Sequence, residues 1–283
     1  MIKKLCVIGA GTMGAGIAQV AIEKGIETTL RDVDDQFVQR GLKTIGTFIG
    51  KKLEKGKLNQ AEHDAILGRL KGSTDALEAA AGAEMVIEAV FENMALKQKI
   101  FAELDGICPK ETVLASNTST LSISRIASVT RNPERVVGTH FFSPVPVMRL
   151  VEVIKGDKTA PSVVEAALEF CKEIGKTAIL AKDVPGFIVN RFLCLLYNEA
   201  ADQIYKGYAT AQDIDNGLKL GSNHPMGPVE IMDMAGVDVC NNALKALYEM
   251  TGEERYKPSP LFEQMIKENR LGRKTGRGFY EYK

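Results

Sequence analysis

Short apolar runs rich in β-branched residues alternate with amphipathic stretches along the chain up to residue 183. The amphipathic stretches at 34–55, 59–70, 94–105 and 161–174 have the spacing of helices that bury one face. Strands that alternate with helices are typical of βαβ units, so the pattern predicts a mainly parallel, doubly wound sheet. The last apolar runs, 135–141, 149–154 and 177–182, follow one another closely, which favours an antiparallel pair among them.

The pattern changes at the segment Asp183–Gly186, where proline and glycine interrupt the alternation. After it, helical patterns occupy 187–206, 211–219, 228–249 and 258–268, with almost no strand signal. We therefore predict an α/β domain over residues 1–183, with a helical hairpin near 34–70, and an all-helical domain over residues 184–283. The tail after Lys274 is typical of a glycine turn followed by an aromatic anchor.

A glycine motif, G-x-G-x-x-G, follows the first strand and opens a helix at Gly9, Gly11 and Gly14. A second strand then runs into Asp32. In this order the glycines permit a tight turn and a close backbone approach to a pyrophosphate at a helix N-terminus, and the acid accepts hydrogen bonds from ribose hydroxyls. The motif predicts a Rossmann-like domain that binds NAD rather than NADP, because a carboxylate repels a 2′-phosphate. Arg31 weakens that preference, and a glycine turn that binds nothing stays as the alternative.

The amino-acid composition of the chain disfavours several classes of protein. Lys plus Arg and Asp plus Glu each number 36 in 283 residues, so the formal net charge is zero, and aromatic residues make up 6%. A neutral chain poor in aromatic residues is not typical of nucleic-acid binders. Five scattered cysteines and three histidines disfavour a metal site and suit a reducing cytoplasm. The glycine-interrupted N-terminal stretch disfavours a signal peptide, and no stretch is long and apolar enough for a membrane span.

Candidate proton-transfer chemistry lies at the predicted closely spaced strands. His140 ends one apolar run, and imidazole exchanges a proton near neutral pH. Glu152 lies inside the apolar run 150–154, where a buried carboxylate needs a partner. His140 is one such partner; an ion pair with Arg149, or an exposed edge position for Glu152, is the alternative.

Further polar positions have two interpretations each. The cluster 116–120 follows a strand and is either a ligand site or a helix N-cap. Asn190, in the first turns of the helix after the break, faces either a cleft or solvent. Lys51 and Lys55 share one helix face and form either a site for a polyanion or a solvated surface.

Taken together, the motifs resemble the 3-hydroxyacyl-CoA dehydrogenases, in particular the bacterial stand-alone 3-hydroxybutyryl-CoA dehydrogenases. The resemblance runs along the whole chain. Its blocks are VIGAGTMGAGIA at 7–18, ASNTST at 115–120, GTHFFSPVPVMRLVEVI at 138–154, KDVPGFIVNRF at 182–192, NHPMGPVEIMDMAG at 223–236 and KTGRGFYEY at 274–282.

The resemblance implies His140 as the catalytic base, Glu152 as its orienting acid, and Ser119 and Asn190 as groups that hold the substrate. It implies CoA contacts at Lys51 and Lys55 and a homodimer formed through the C-terminal domain. It implies NAD contacts at Gly9, Gly11, Thr12, Met13, Gly14, Asp32, Glu92, Lys97, Asn117, Ser143 and Lys274. Ser143 departs from the family, in which many members carry asparagine there, and this puts one cofactor contact in doubt.

The expected reaction is NAD-dependent oxidation of a 3-hydroxyacyl-CoA, with 3-hydroxybutyryl-CoA as the expected substrate, or the reverse reduction. Two alternatives stay open: an NAD-dependent dehydrogenase of a free hydroxy acid, and a non-enzymatic NAD-binding protein. The His140–Glu152 pairing argues against the second, because such a protein needs no proton relay.

Overall fold

A computed structural model describes residues 2–282 of the chain. It contains two compact units, which divide between Phe187 and Ile188. The predicted break at 183–186 lies immediately before this division.

The first unit is built on one eight-stranded sheet. Its strands are β1 (Lys4–Ile8), β2 (Glu27–Arg31), β3 (Leu70–Ser73), β4 (Met85–Glu88), β5 (Val113–Ser116), β6 (Val136–Phe141), β7 (Leu150–Lys155) and β8 (Thr177–Lys182). Their order in the sheet is β3-β2-β1-β4-β5-β6-β7-β8. Strands β1 to β6 are parallel, β7 runs antiparallel to β6, and β8 is parallel to β7. The predicted doubly wound sheet, with an antiparallel pair among its late strands, is confirmed.

Helices cover both faces of this sheet. They are α1 (Thr12–Glu23), α2 (Asp35–Glu54), α3 (Gln60–Leu67), α4 (Ala76–Ala80), α5 (Met94–Ile107), α6 (Ile123–Ala127) and α7 (Pro161–Glu173). On β1, Leu5 and Val7 belong to one core and Cys6 and Ile8 to the other, which is why the strand is a continuous apolar run.

Two elements of the first unit lie outside the predicted pattern. Strand β3 has the sequence LKGS and is at least partly exposed at every position, so its pattern carries little apolar signal. Helix α4 has only five residues, too few for a helical period to be visible.

Asp183, at the predicted break, fixes the start of α6. Its carboxylate accepts hydrogen bonds from Ser122 Oγ and from the main-chain N–H groups of Ile123 and Ser124. The segment that ends the sheet pattern therefore also stabilises a helix N-terminus in the first unit.

The second unit is helical, as predicted. It contains α8 (Val189–Tyr205), α9 (Ala211–Ser222), α10 (Pro228–Ala235), α11 (Val237–Thr251) and α12 (Pro260–Lys267). The prediction of one helix over 228–249 is wrong, because Gly236 has a φ of 108° and separates α10 from α11. A positive φ cannot continue a right-handed helix.

The C-terminal segment is fixed to this unit by two buried carboxylates. Asp233 accepts hydrogen bonds from the N–H groups of Phe279 and Tyr280 at 2.9 Å. The Tyr280 hydroxyl donates to Asp215 at 2.6 Å, so the predicted aromatic anchor is present. Within residues 2–282, no helix combines the length and the apolar character that a membrane crossing requires.

Candidate active site

The glycine motif forms a tight turn between β1 and α1. Gly9 has a φ of 104°, and a Cβ atom there would lie 2.7 Å from the Ala89 carbonyl oxygen. A Cβ atom on Gly14 would lie 1.8 Å from the Gly9 carbonyl oxygen, so both positions require glycine. By contrast, the space beside Gly11 is open, since an added Cβ would meet no atom within 4 Å. The open backbone lies at the N-terminus of α1, whose unpaired N–H groups favour an anion.

Asp32 follows β2 and lies beside this turn. Its Oδ2 accepts a hydrogen bond from the Ala10 N–H and its Oδ1 accepts one from the Val33 N–H, both at 2.7 Å. The carboxylate therefore fixes the glycine turn and leaves further lone pairs for hydroxyl donors. The open turn, the helix N-terminus and the acid after β2 together fit a dinucleotide. Thr12 and Met13 lie in the first turn of α1, beside this open backbone.

His140 and Glu152 face each other across the antiparallel pair β6–β7, where they are directly paired in the register. His140 Nδ1 lies 2.7 Å from Glu152 Oε2, and both side chains are buried. The rings of Phe142 and Phe187 lie 4.4 and 5.9 Å from the His140 ring, centroid to centroid. Between the two partners considered for Glu152, the structure thus pairs it with His140. A buried site has a low local dielectric constant, which strengthens the hydrogen bond between the two side chains.

Glu92 organises the turn that follows β5. Its Oε1 accepts hydrogen bonds from the Thr118 hydroxyl at 2.6 Å and from the Ser119 and Thr120 N–H groups at 2.9 and 3.0 Å. The Ser119 hydroxyl also lies 3.3 Å from the same oxygen. Burial disfavours the ionised form of Glu92, but the Lys97 ammonium and these hydrogen bonds outweigh that effect and lower the pKa of the Glu92 carboxyl. The carboxylate is therefore ionised at neutral pH.

Of the two interpretations of the cluster at 116–120, the N-cap of the following helix is wrong. The N-cap of α6 is Ser122, whose hydroxyl accepts from the Arg125 N–H. Asn117 Oδ1 accepts a hydrogen bond from the Phe141 N–H at 2.9 Å, which ties this turn to the strand end next to His140. The predicted polar residues after β5 and the predicted base on β6 therefore lie in one connected region.

Lys97 is buried beneath the turn after β4. Its ammonium lies 2.6 Å from Glu88 Oε1 and 3.5 Å from Glu92 Oε2. Glu88, which ends β4, was missed by the sequence analysis. Its signal is a carboxylate that ends the otherwise apolar strand MVIE, the same signal that pointed to Glu152.

Three further candidates lie in the loop after β6 and in the second unit. Ser143 is exposed in the loop after β6. Asn190 lies, half-buried, in the first turn of α8 in the second unit. Lys274 also belongs to the second unit, where its ammonium lies 2.5 and 2.7 Å from the two carboxylate oxygens of Asp238.

Lys51 and Lys55, at the end of α2, are both exposed. The Lys51 ammonium lies 5.9 Å from the centre of the Phe48 ring, whereas the neighbouring Lys52 is occupied by Glu23 at 2.7 Å. The lysine pair therefore presents two cations and an adjacent aromatic ring to solvent.

The cysteines and the potential metal ligands of the described residues lie in the following environments. All five cysteines are buried free thiols, and burial raises their pKa values to about 11 or about 12, so they are protonated at neutral pH. Residues 2–282 contain no group of three or more potential ligands suited to a metal ion.

Comparison with known proteins identifies the family. The model for the NAD-binding domain of 3-hydroxyacyl-CoA dehydrogenases matches residues 4–184, and the model for their C-terminal domain matches residues 186–282. The chain is 44% identical over 281 residues to the probable 3-hydroxybutyryl-CoA dehydrogenase of Bacillus subtilis (strain 168), with 99% of this chain and 98% of that protein covered. It is 41% identical to the mitochondrial hydroxyacyl-coenzyme A dehydrogenase of Rattus norvegicus, with 100% of this chain and 92% of that protein covered.

Comparison with a solved structure leads to the same family. The crystal structure of (S)-3-hydroxybutyryl-CoA dehydrogenase PaaH1 from Ralstonia eutropha matches with a TM-score of 0.96 and 41% identity, and all of both chains is covered. The NAD cofactor expected from the glycine motif is confirmed by the domain model. Both family domains and full-length relatives match, and the chain belongs to the 3-hydroxyacyl-CoA dehydrogenase family.

Proposed function

We propose that the chain interconverts (S)-3-hydroxybutyryl-CoA and its 3-keto form with NAD as cofactor, and that His140 and Glu152 carry the proton transfer. The supporting observation is the buried 2.7 Å contact between His140 Nδ1 and Glu152 Oε2. The substrate is taken from the relatives named 3-hydroxybutyryl-CoA dehydrogenase, and its configuration from the solved Ralstonia structure.

The pair determines which imidazole nitrogen reacts. An ionised Glu152 accepts a hydrogen bond, so the Nδ1 it contacts carries the proton and Nε2 holds the free lone pair. In oxidation, Nε2 takes the proton of the 3-hydroxyl, and Glu152 stabilises the resulting imidazolium. In reduction, the imidazolium returns that proton to the developing alkoxide. NAD, when bound, would accept the hydride that leaves C3 of the substrate in oxidation, and NADH would supply the hydride to C3 in reduction.

Other residues hold the reactants. We assign the dinucleotide phosphates to the backbone at Gly9–Gly14, including Thr12 and Met13, and the ribose hydroxyls to Asp32. Ser119 and Asn190 hold the substrate's oxygens, which aligns C3 for hydride transfer. Further cofactor contacts are assigned to Glu92, Lys97, Asn117, Ser143 and Lys274. The exposed pair Lys51 and Lys55 binds the CoA phosphates.

Two further proposals concern the state of the protein. We propose a homodimer formed through the C-terminal unit, which exposes large apolar side chains. Phe192, Tyr208 and Leu220 are 72%, 75% and 86% exposed. A contiguous patch built from such side chains would be typical of an interaction site. The molar mass measured by light scattering on the peak that elutes from a size-exclusion column tests this proposal. The mass of a monomer would contradict it.

We also propose a cytoplasmic location, because all five thiols are unpaired.

The deciding experiment is NADH oxidation by the purified protein with acetoacetyl-CoA, with longer 3-ketoacyl-CoAs and with free acetoacetate. We expect turnover of acetoacetyl-CoA and little turnover of acetoacetate. Equal kcat/KM for the free acid and the thioester would instead indicate a dehydrogenase of free hydroxy acids. Absence of turnover with every substrate, together with NADH binding, would indicate a non-enzymatic NAD-binding protein.

A further inference from the structure

Phe187, the last residue of the first unit, has an unusual backbone conformation. Its φ is 47°, in the left-handed region where a β-carbon is crowded. Within residues 2–282, the other non-glycine residues with a positive φ are Asn223 and Asn269, and asparagine tolerates this region. A bulky residue keeps such a conformation only where its surroundings fix it, and such residues cluster at functional sites.

The turn that leads to Phe187 is held at both ends. At its start, Asp183 accepts the hydrogen bonds at the N-terminus of α6. At its end, the Phe187 N–H donates to the Val184 carbonyl at 2.9 Å, and the preceding Gly186 also has a positive φ, of 74°. The Phe187 side chain is 2% exposed and belongs to one of the two cores that cover the sheet. The turn and the core together therefore fix the conformation of this residue.

This core lies on the same face of the sheet as His140. Side chains alternate along a strand, so His140 shares a face of β6 with Val136, which belongs to the same core as Phe187. The Phe187 and His140 rings have centroids 5.9 Å apart and planes tilted by 56°. Phe142 places a second ring 4.4 Å from the imidazole, tilted by 48°. Two aromatic rings therefore pack on the imidazole, one from the end of β6 and one from the turn after β8.

Ring packing supplies a constraint that one hydrogen bond does not. The hydrogen bond to Glu152 fixes one atom of the imidazole, Nδ1. Rotation of a histidine ring about its bond to Cβ has broad minima, so this contact alone does not set the plane of the ring. The Nε2 lone pair lies in that plane, and it points at the substrate's hydroxyl only when the plane is correct. Packing that locks the side chain is the usual means of holding a reacting group in this way.

We propose that Phe187 is a positioning residue, whose ring sets the plane of the His140 imidazole, and that its left-handed backbone directs the ring to that place. The proposal rests on the proposed function, because it takes His140 as the base. Loss of the ring then slows the proton transfer and leaves the affinity for the dinucleotide intact, since neither residue is assigned to the cofactor.

The test compares Phe187→Leu with Phe170→Leu, a fully buried phenylalanine of α7 in the other core. Turnover of acetoacetyl-CoA is measured in H₂O and in D₂O, beside a fluorescence titration of NADH. A misplaced reacting group costs up to about a hundredfold, so we expect kcat of Phe187→Leu to fall at least about tenfold. Because proton transfer then limits the rate, the ratio of kcat in H₂O to kcat in D₂O should rise above that of wild type. We expect Kd for NADH to stay within about twofold.

The control variant separates positioning from core packing. Phe170→Leu also shortens a buried side chain, so we expect it to lower the melting temperature and to keep wild-type kcat and the wild-type ratio between H₂O and D₂O. Wild-type kcat in Phe187→Leu would overturn the proposal, as would a low kcat with an unchanged ratio. If Phe187→Leu does not fold, Phe187→Met repeats the test, because a flexible methionine fills an irregular space in a core.

A second pair of variants tests the backbone. Phe187→Gly and Phe187→Ala both lack the ring, so we expect both to have a low kcat. Glycine adopts a positive φ without strain, and we therefore expect Phe187→Gly to melt at a higher temperature than Phe187→Ala. A higher melting temperature for Phe187→Ala would show that this position does not need a left-handed backbone, and would overturn that part of the proposal.

Failure of the proposed function is seen separately. If wild-type protein turns over free acetoacetate and not acetoacetyl-CoA, the proposed substrate is wrong, and the comparison between H₂O and D₂O is made on acetoacetate. Wild-type kcat in His140→Ala would refute the proposed base. A low kcat in His140→Ala beside wild-type kcat in Phe187→Leu would refute only the role of Phe187.

Discussion

Two groups of candidate charged residues in the first unit lie in opposite environments. His140 and Glu152 are buried on adjacent strands, and their side chains meet because the main-chain register places them opposite each other. Lys51 and Lys55 are exposed at the end of α2, where nothing but the helical period aligns them. Charges in a dry, fixed setting interact strongly, whereas exposed charges are weakened by water and salt. Both pairs of charged residues stand out in the sequence, but we expect the buried pair to affect function much more than the exposed pair.

The largest effect is expected at the buried pair. His140→Ala removes the base, and general acid–base catalysis is worth about 10²–10⁴-fold, so kcat should fall by that factor. NADH binding should survive, because His140 lies on β6, away from the glycine turn. The measurement is steady-state kcat with acetoacetyl-CoA beside NADH titration, with His63→Ala on α3 as the matched control. A His140→Ala protein that keeps more than about a tenth of wild-type kcat would remove this residue from the mechanism.

The second prediction asks whether burial of a charge alone produces an effect on catalysis. Asp105 is a buried acid near the end of α5 in the first unit, and its side-chain partners are outside the candidate site residues. Burial favours its neutral form, but hydrogen bonds from Arg131, Arg135 and Asn132 outweigh that effect and lower the pKa of Asp105 to about 2. A lowered pKa stabilises the folded state above the unfolded value of roughly 3.9, and this stabilisation is lost as the pH falls towards the folded value.

We expect Asp105→Asn to reduce the free energy of unfolding by about 2 kcal/mol at pH 7, and the difference from wild type to narrow as the pH falls below about 4. Urea unfolding at several pH values measures this. The kcat of the folded variant should equal that of wild type. A loss of kcat without a loss of stability would show that Asp105 is coupled over a long range to the candidate site.

The third prediction concerns Asp32, which is half-buried and so intermediate between the two groups. Its charge should disfavour NADPH by repelling the 2′-phosphate, an effect of roughly 1 kcal/mol in a wet site. Asp32→Asn keeps an oxygen for the Ala10 N–H, and it should narrow the ratio of kcat/KM for NADH over NADPH several-fold. If the wild-type protein uses NADPH as efficiently as NADH, this assignment is wrong, and Arg31 becomes the residue to change.

The smallest effect is expected at the exposed lysines. Exposed charge contacts are each worth roughly 1 kcal/mol or less, so Lys51→Ala/Lys55→Ala should raise KM for acetoacetyl-CoA several-fold and leave kcat nearly unchanged. An N-acetylcysteamine thioester, which lacks the phosphates, should be unaffected. Lys172→Ala, an exposed lysine on α7, is the control. Identical KM values for the double variant and wild type at low salt would leave these lysines as a solvated surface.

Much of the fold follows from local patterns. The order of strand, glycine turn, helix and strand up to Asp32 is continuous in the chain, so each step could be inferred from its neighbour. Elements with weak local signals were missed, such as the partly exposed strand β3 and the short helix α4. The break at Gly236 was also missed, because an isolated glycine inside a helical pattern is usually tolerated.

The candidate site also has features that the sequence predicts and features that only the structure shows. The sequence by itself determined the dinucleotide turn, the acid after β2, and the presence of a histidine and a carboxylate on late strands. The tertiary structure decided their partners: the β6–β7 register set Glu152 against His140, and the turn after β4 buried Lys97 between Glu88 and Glu92. The physical reason is that a pattern along the chain reports which residues need a partner, whereas the partner is chosen by strand pairing and packing between segments that no local period connects.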